Sequence, residues 1–396
     1  MKLNQLYKVI TLTAAATLFS VVLCYSQEIT FKGQLSGWSG YYSKAQLPLG
    51  VGSRYLPQLN GEFKLYRSTP EIYSPKERSP FAGPRAEFEI AANLYGNGMI
   101  DPFTYSRWSG GARLYRGWLK IATDRAELRV GLQKINFGSA TLLRPLMWFD
   151  KVDARDPLQF TDGVWGALGR YYFRDNSNIW LWILYGNREG GPLDIADAGG
   201  VTSKRPEYGG RAQLSIPKGE AALTYHRKTE ENRFALDIKL DVTIGLWAEA
   251  SWINKRADLG ILTNQTLINI GADYTFGVGN GLNLIAEHLT LSYDRRPFDF
   301  SNIVKISALS ASYPLGINDN INYILYCDWK NGELYNFVNW RHNFRDLTLY
   351  IMGYLNSGNT PISLMGNSNS LYTGSGVQIM LVYNHQTKKI LNKLIK

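Results

Sequence analysis

Cysteine is almost missing. Only Cys24 and Cys327 occur in 396 residues, and Cys24 lies in a leader-like start. No intramolecular disulfide can staple the remainder, which excludes the small disulfide-rich secreted class. Long apolar runs are also missing beyond residue 27, where no stretch approaches the ~20 residues of a membrane helix. Any insertion of that part into lipid must therefore use a closed β-barrel, the other architecture that satisfies every backbone group there. Histidine is sparse, at His226, His288, His342 and His385. Neither a G-x-S-x-G elbow nor an H-E-x-x-H metal motif is present. Helical periodicity is nearly absent after Gln27.

The start of the chain does have an apolar run. Lys2 and Lys8 precede Val9–Cys24 (VITLTAAATLFSVVLC), and Cys24 and Ser26 are small enough for a cut before Gln27. Residues 1–26 read as a secretory signal peptide. An uncleaved anchor and a lipoprotein cut at Cys24 are the alternatives; the run is short for the first, and Leu23 does not suit the second. The formal charge of +10 falls by two with Lys2 and Lys8. It falls by four more with Lys388, Lys389, Lys393 and Lys396, leaving about +4 on the body. Such a balance carries no nucleic-acid stripe, so no nucleic-acid partner is expected. Aromatic residues are plentiful, with 25 Tyr and 11 Trp, as interfacial belts would require.

Alternating segments separated by turn residues fill the rest. Strands are expected over 29–42, 58–66, 84–95, 112–122, 126–136, 164–174, 178–186, 207–216 and 220–228. They continue over 233–242, 244–254, 266–276, 281–292, 302–313, 320–329, 333–341, 347–356 and 375–385. Counted alternately, the connections sort by length. On the near side lie 123–125, 175–177, 217–219, Thr243, 277–280, 314–319 and 342–346, all short. On the far side lie 43–57, 96–111, 137–163, 187–206, 229–232, 255–265, 293–301, 330–332 and 357–374, mostly long. The long connection 67–83 breaks the near-side rule. Gly277–Gly281 and Pro314–Gly316 read as tight turns, and Asn331–Gly332 as a two-residue hairpin signal. The expected fold is all-β: a transmembrane antiparallel barrel of about 18 strands (16–18), with short periplasmic turns and long outer loops. A soluble double-layer sheet would alternate as well, but has no reason to sort its loops by parity.

The faces repeat from strand to strand. Phe234, Leu236, Ile238, Leu240 and Val242 alternate with Ala235, Asp237, Lys239 and Asp241. Ile268, Ile270, Ala272, Tyr274 and Phe276 oppose Asn269 and Asp273, and Ile321, Tyr323, Leu325 and Cys327 oppose Asn322 and Asp328. The apolar rows are expected to face lipid and the charged rows a wet interior.

The stretch 128–173 (LRVGLQKINFGSATLLRPLMWFDKVDARDPLQFTDGVWGALGRYYF) resembles the porin-like outer-membrane barrels of Gram-negative bacteria that include the alginate-export type. The resemblance rests on Val130-Gly131-Leu132-Gln133, Phe137-Gly138 and Asp156-Pro157. Leu132 and Phe137 depart from the Arg and Trp usual there, and the chain runs past Tyr383 instead of ending on an aromatic residue. The resemblance implies a monomeric barrel in the bacterial outer membrane whose third outer loop folds inward and narrows a pore for small or oligomeric polar solutes.

The candidate site follows from that loop and the charged rows. In 137–163 it comprises Arg144, Asp150, Asp153, Arg155 and Asp156. On the wall it comprises Arg129, Gln133, Arg211, Asp237, Lys239, Asp241 and Glu249, with Glu87, Glu89 and Asp273 as further wall positions. Opposed charges across such a constriction would orient polar solutes. The D-x-x-D-x-x-D of Asp150, Asp153 and Asp156 could ligate calcium, but with Arg144, Lys151 and Arg155 interspersed it reads as ion pairs. No metal and no cofactor is expected.

A barrel channel passing small polar or saccharide solutes by passive diffusion is the leading reading. Outer-membrane lipid, lipopolysaccharide and the assembly machinery are its expected partners. The domain plan is a signal over 1–26, a barrel over 27–385 and a basic tail over 386–396. A non-conducting barrel binding surface polysaccharide through Tyr105, Trp108, Trp148 and Phe149 is the second reading. An outer-membrane hydrolase using His288 and Ser292 is the third.

Overall fold

Strand alternation leaves each segment with one apolar and one polar face, and closing the sheet into a ring gives each face a surrounding of its own. In the computed structural model of the protein the ring does close. Described are residues 28–45, 47–64, 83–101, 103, 105–150, 152–187, 205–356 and 374–387. Residues 1–26, read as a signal, the connection 67–83 apart from Gly83, and residues 388–396, read as part of a tail, lie outside them.

Eighteen strands run in order: β1 (Glu28–Tyr42), β2 (Leu49–Lys64), β3 (Arg85–Ile100), β4 (Ser106–Ala122), β5 (Ala126–Gln133) and β6 (Val164–Tyr172). They continue as β7 (Asn178–Leu184), β8 (Glu207–Ile216), β9 (Gly219–Arg227), β10 (Glu231–Asp241), β11 (Gly245–Lys255) and β12 (Asn264–Phe276). The ring is completed by β13 (Leu282–Asp294), β14 (Ile303–Pro314), β15 (Asp319–Asp328), β16 (Glu333–Asn343), β17 (Leu347–Asn356) and β18 (Ser375–Thr387). Each pairs antiparallel with its sequence neighbour, and β1 pairs with β18, so no edge is left open. No helix among the described residues is long and apolar enough to cross a membrane. β18 runs two residues into the segment read as a tail.

Two expected loops are strand instead. β2 starts at Leu49 and β3 ends at Ile100, so 43–57 shrinks to 43–48 and 96–111 to 101–105. These stretches are rich in glycine and lack alternation, which hid them. The ladder survives because aromatic rings cover the missing side chains. A Cβ on Gly52 would lie 2.4 Å from the Trp38 ring, and one on Gly98 2.5 Å from the Trp108 ring. The Asn331–Gly332 hairpin also differs. Asp328 pairs with Glu333 across four residues, and the Asp328 carboxylate accepts N–H bonds from Lys330 (2.9 Å) and Asn331 (3.4 Å).

Burial runs inside out. Phe234 and Leu236 are exposed on the outer face of β10, whereas Arg233, Ala235 and Asp237 are buried on the inner face. The interior there is not simply wet. Asp237 accepts two bonds from the Arg211 guanidinium (2.8 and 2.5 Å), and Arg211 also donates to the Thr224 hydroxyl (3.1 Å). A second departure lies on β13–β18, where Leu289, Leu291, Ile306, Ile324, Tyr326, Phe337 and Met352 make the inner row apolar.

Two outcomes follow. Ile238→Arg places a cation on the lipid side at a cost of roughly 2–4 kcal/mol at mid-depth, and should lower the folded, heat-modifiable fraction in the membrane. Asp237→Leu strands the Arg211 charge at a cost of about 3–5 kcal/mol. It should lower the denaturation midpoint of the purified barrel, although it adds apolar surface.

Candidate functional site

The connection from β5 to β6 does not stay at the rim. Gln133, fully buried, fixes its root by donating to the carbonyls of Arg129 and Gly166, both at 3.2 Å. Gly138 then takes a φ of 95°, and a Cβ there would lie 2.7 Å from a Glu249 carboxylate oxygen. Only glycine allows so close an approach.

Five consecutive amides follow, captured by two wall carboxylates. Ser139 and Ala140 N–H donate to Glu249 of β11, the latter at 2.7 Å. Thr141 N–H (2.7 Å), the Thr141 hydroxyl (3.0 Å), Leu142 N–H (3.2 Å) and Leu143 N–H (2.6 Å) donate to Glu287 of β13. Asn269 of β12 steadies Glu287 through its side-chain amide at 3.3 Å. Successive N–H groups converging on carboxylates form an anion-binding concavity in which the protein supplies both partners. β13 lies eight strands round the ring from β5, so the loop crosses the lumen.

Packing fastens the crossing on both sides. Phe137, Leu146 and Trp148 join Leu168, Trp182, Leu184 and Ala235 in one cluster. Leu142 and Leu143 join the apolar inner wall of β12–β18 in another. His226 is completely buried behind the first, taking the Trp182 indole N–H at 3.1 Å and facing Glu207 at 3.2 Å.

The return limb rests on the β2–β6 wall. In the pairing of β3 with β4, Ala91 meets Arg116 and Ala92 meets Leu114. Tyr115 is thus the extra residue of a bulge, and Tyr115 and Arg116 both serve the loop. Phe160 stacks on Tyr115 with centroids 4.9 Å apart, and the Arg54 guanidinium lies 4.0 Å from the Phe160 ring. Arg116 donates to the Thr161 carbonyl at 2.9 Å, and Arg113 pairs with Asp162 at 2.8 Å. Asp156 accepts the N–H groups of Leu158 (2.9 Å) and Phe160 (3.0 Å). Burial pushes its carboxyl above the usual range, against the pull of those two bonds and of Arg54.

The expected residues thus divide. Gln133, Arg144, Asp150, Asp153, Arg155, Asp156, Arg211, Asp237 and Glu249 lie in the loop or where it meets the wall. Arg129 gives the loop root only its backbone carbonyl, and its guanidinium lies over Trp118. Lys239 and Asp241 do not meet the loop; they are exposed at the turn end of β10. Asp273 likewise sits toward the short-turn rim, opposite Gly245. Glu87 faces inward but pairs with Lys120 at 2.6 Å and Arg85 at 3.0 Å. Glu89, two residues further on the same row, stands opposite Trp118 of β4. The three loop aspartates are occupied rather than convergent. Arg144 holds Asp150 at 3.0 Å, Arg155 holds Asp153 at 2.7 Å, and backbone amides hold Asp156. Lys151 lies outside the described residues.

Trp148, expected as a sugar platform, is instead buried in the crossing, with Phe149 packed beside it 4.9 Å from His226. His288 and Ser292 do not pair with each other. His288 lies 2.9 Å from the Ser307 hydroxyl, and Ser292 donates to Asp294 and to the Asp299 carbonyl.

Sequence reading missed Glu287 and most of an arginine row. Arg54, Arg113 and Arg116 line the wall with Arg129, whose guanidinium lies 4.6 Å from Trp118, and Arg170, 3.8 Å from Trp180. Strand parity from Lys120 and Trp118 back to Arg116 would have found part of this row. The bulge at Tyr115 breaks that parity before Arg113.

No protein-family model and no curated protein matches the sequence. Solved structures do match. Pseudomonas aeruginosa OccK5 (OpdH) superposes with a TM-score of 0.57 at 10% identity, covering 92% of this chain and 99% of that one. P. aeruginosa OpdQ gives 0.56 at 11% identity, over 91% and 98%. Acinetobacter baumannii OccAB4 gives 0.54 at 13% identity, over 91% and 99%. At such identities the likeness is one of architecture, and it runs the length of both chains: the protein has the closed 18-strand antiparallel fold of outer-membrane porin structures.

Proposed function

We propose that the protein is a bacterial outer-membrane channel for passive diffusion of small polar or saccharide solutes, with loop 137–163 setting the narrowest section. The observation that carries this reading is the crossing itself. Glu249 and Glu287 pin the loop from the far wall, and apolar packing fills the sides it touches. The charged inner surface is then concentrated on β2–β6. There Arg54 and Arg113 face Asp156 and Asp162 of the loop, Arg116 holds the Thr161 carbonyl, and Arg113 and Asp162 keep much of their side chains accessible. Cations on the wall and carboxylates on the loop set a transverse field that orients a dipolar solute as it passes.

The fold shared with the OccK5 and OpdQ structures supports the location and the channel reading. In this reading residues 1–26 are removed on export, 27–385 form the barrel and 386–396 a basic tail. Membrane lipid, lipopolysaccharide and the assembly machinery are its partners, and no covalent chemistry is performed. The surface-polysaccharide reading loses two of its four platforms, because Trp148 and Phe149 pack inside the crossing. Trp108 and Tyr105 remain exposed at the rim.

Purified protein in planar bilayers should give stable single-channel steps; a silent bilayer containing folded protein would overturn the channel reading. Glu287→Ala removes charge-assisted bonds worth roughly 1.5–3 kcal/mol each and should loosen the loop. Conductance should rise and its noise increase, while the barrel stays folded. Unchanged conductance in that variant would show that the loop does not limit passage.

A further inference from the structure

We infer that the outer face of β9–β13, at the rim of the long loops, is a binding site for lipopolysaccharide, with arginines for its phosphates and an aromatic row for its acyl chains. This rests on the reading of the chain as an outer-membrane barrel and gives one expected partner a place.

Four rings run along consecutive outward positions. Tyr225 and Phe234 have centroids 4.8 Å apart, Phe234 and Trp252 5.4 Å, and Trp252 and Phe298 5.2 Å. The first three follow the strand register, Tyr225 opposite Phe234 and Phe234 opposite Trp252. Phe298 comes from the loop between β13 and β14, held at a φ of 56° that non-glycine residues rarely adopt. That loop is folded down over the outside of the barrel, and its Asp299 carbonyl takes the Ser292 hydroxyl at 2.8 Å. Below the rings an apolar groove of about 1150 Å³ opens on the lipid side, bounded by Leu181, Leu223, Leu236 and Ile268.

Two residues closer to the rim the same face becomes polar. Arg227 stands opposite Asn232, Asn232 opposite Asn254, and Asn254 opposite Asn264. The aromatic row is tied to this polar one. The Tyr225 hydroxyl donates to Asn232 and the Trp252 indole to Asn264, both at 3.1 Å. Such a step from rings to amides marks the depth at which hydrocarbon gives way to headgroups.

Above it lie Arg256, Arg295 and Arg296. Asp258 pairs with Arg295 at 2.5 Å, and Glu230 lies 3.9 Å from Arg205. Neither Arg227 nor Arg296 has a carboxylate partner among the described residues, and the Arg256 guanidinium donates only to the Thr229 carbonyl, at 3.5 Å. Guanidinium groups left without carboxylates beside a headgroup-depth amide row suit phosphates on a sugar carrying several acyl chains. Phosphatidylglycerol has a single phosphate and no sugar hydroxyls for the asparagine row.

The test uses the full-length barrel in detergent, with purified rough lipopolysaccharide and phosphatidylglycerol as separate probes and native mass spectrometry as readout. The native protein should retain lipopolysaccharide in preference to phosphatidylglycerol. Combined Arg227→Ala, Arg256→Ala and Arg296→Ala should weaken retention roughly tenfold or more, and the matching lysine variants should largely restore it. Heat-modifiable mobility confirms that each variant is folded. Equal retention of both lipids, or loss of the three arginines without effect, would overturn the site. Single-channel conductance of the same variants should be unchanged, so failure here is separable from failure of the channel reading.

Discussion

Two carboxylates on the far wall, holding five successive amides of a loop, determine how this barrel is filled. A segment crossing a lumen exposes backbone donors that water would otherwise satisfy, and apolar packing on both flanks removes that water. Something must then accept the bonds. Glu249 and Glu287 do so, on strands two apart, so the chain runs along the wall from Ser139 to Leu143 instead of merely touching it. The amide bonds offset part of the cost of burying the carboxyl groups, and the carboxyl oxygens satisfy the amides, which makes the arrangement tolerable in a dry place.

Once that run is fixed, the burial of the interior follows. Leu142 and Leu143 are turned toward β12–β18, and the inner rows there are apolar because a packed loop, not water, is their neighbour. Phe137 and Trp148 are turned toward β6–β10, where Trp182 and Leu168 receive them. Arg211 and Asp237, closed under Phe137, become a structural pair. Charge that can meet a solute is left mainly on β2–β6, where Phe160 and Asp162 bring the return limb to the arginines.

Period-two alternation made the fold legible. In 233–242 and 266–276 lipid and interior impose opposite chemistries on adjacent residues, so the faces can be read one residue at a time. Legibility failed where that rule is relaxed. Leu49–Tyr55 and Gly96–Ile100 carry glycines under rings from neighbouring strands, so the apolar surface of one strand is supplied by another. Ile324 and Tyr326 make an inner row apolar under Leu142 and Leu143, and nothing local in the strand announces that a loop will cover them. Glu249 could be placed on the wall but not assigned its work, since a carboxylate facing water and one facing amides look alike in sequence. Glu287 was hidden by Ile285, Leu289 and Leu291 on its own inner row.

The bulge at Tyr115 shows how little irregularity the site needs. One extra residue in β4 turns Tyr115 and Arg116 toward the interior in succession. The first provides a stacking surface for Phe160 and the second a donor for the Thr161 carbonyl. With strict alternation only one of them could reach the loop, and the return limb would have a ring or a hydrogen bond but not both. Arg113, beyond the bulge, still faces inward and meets Asp162. The wall thus keeps its lipid-side pattern at Leu114 and Gly117 while gaining one more inward contact, and it is at this defect that loop and arginine row are brought together.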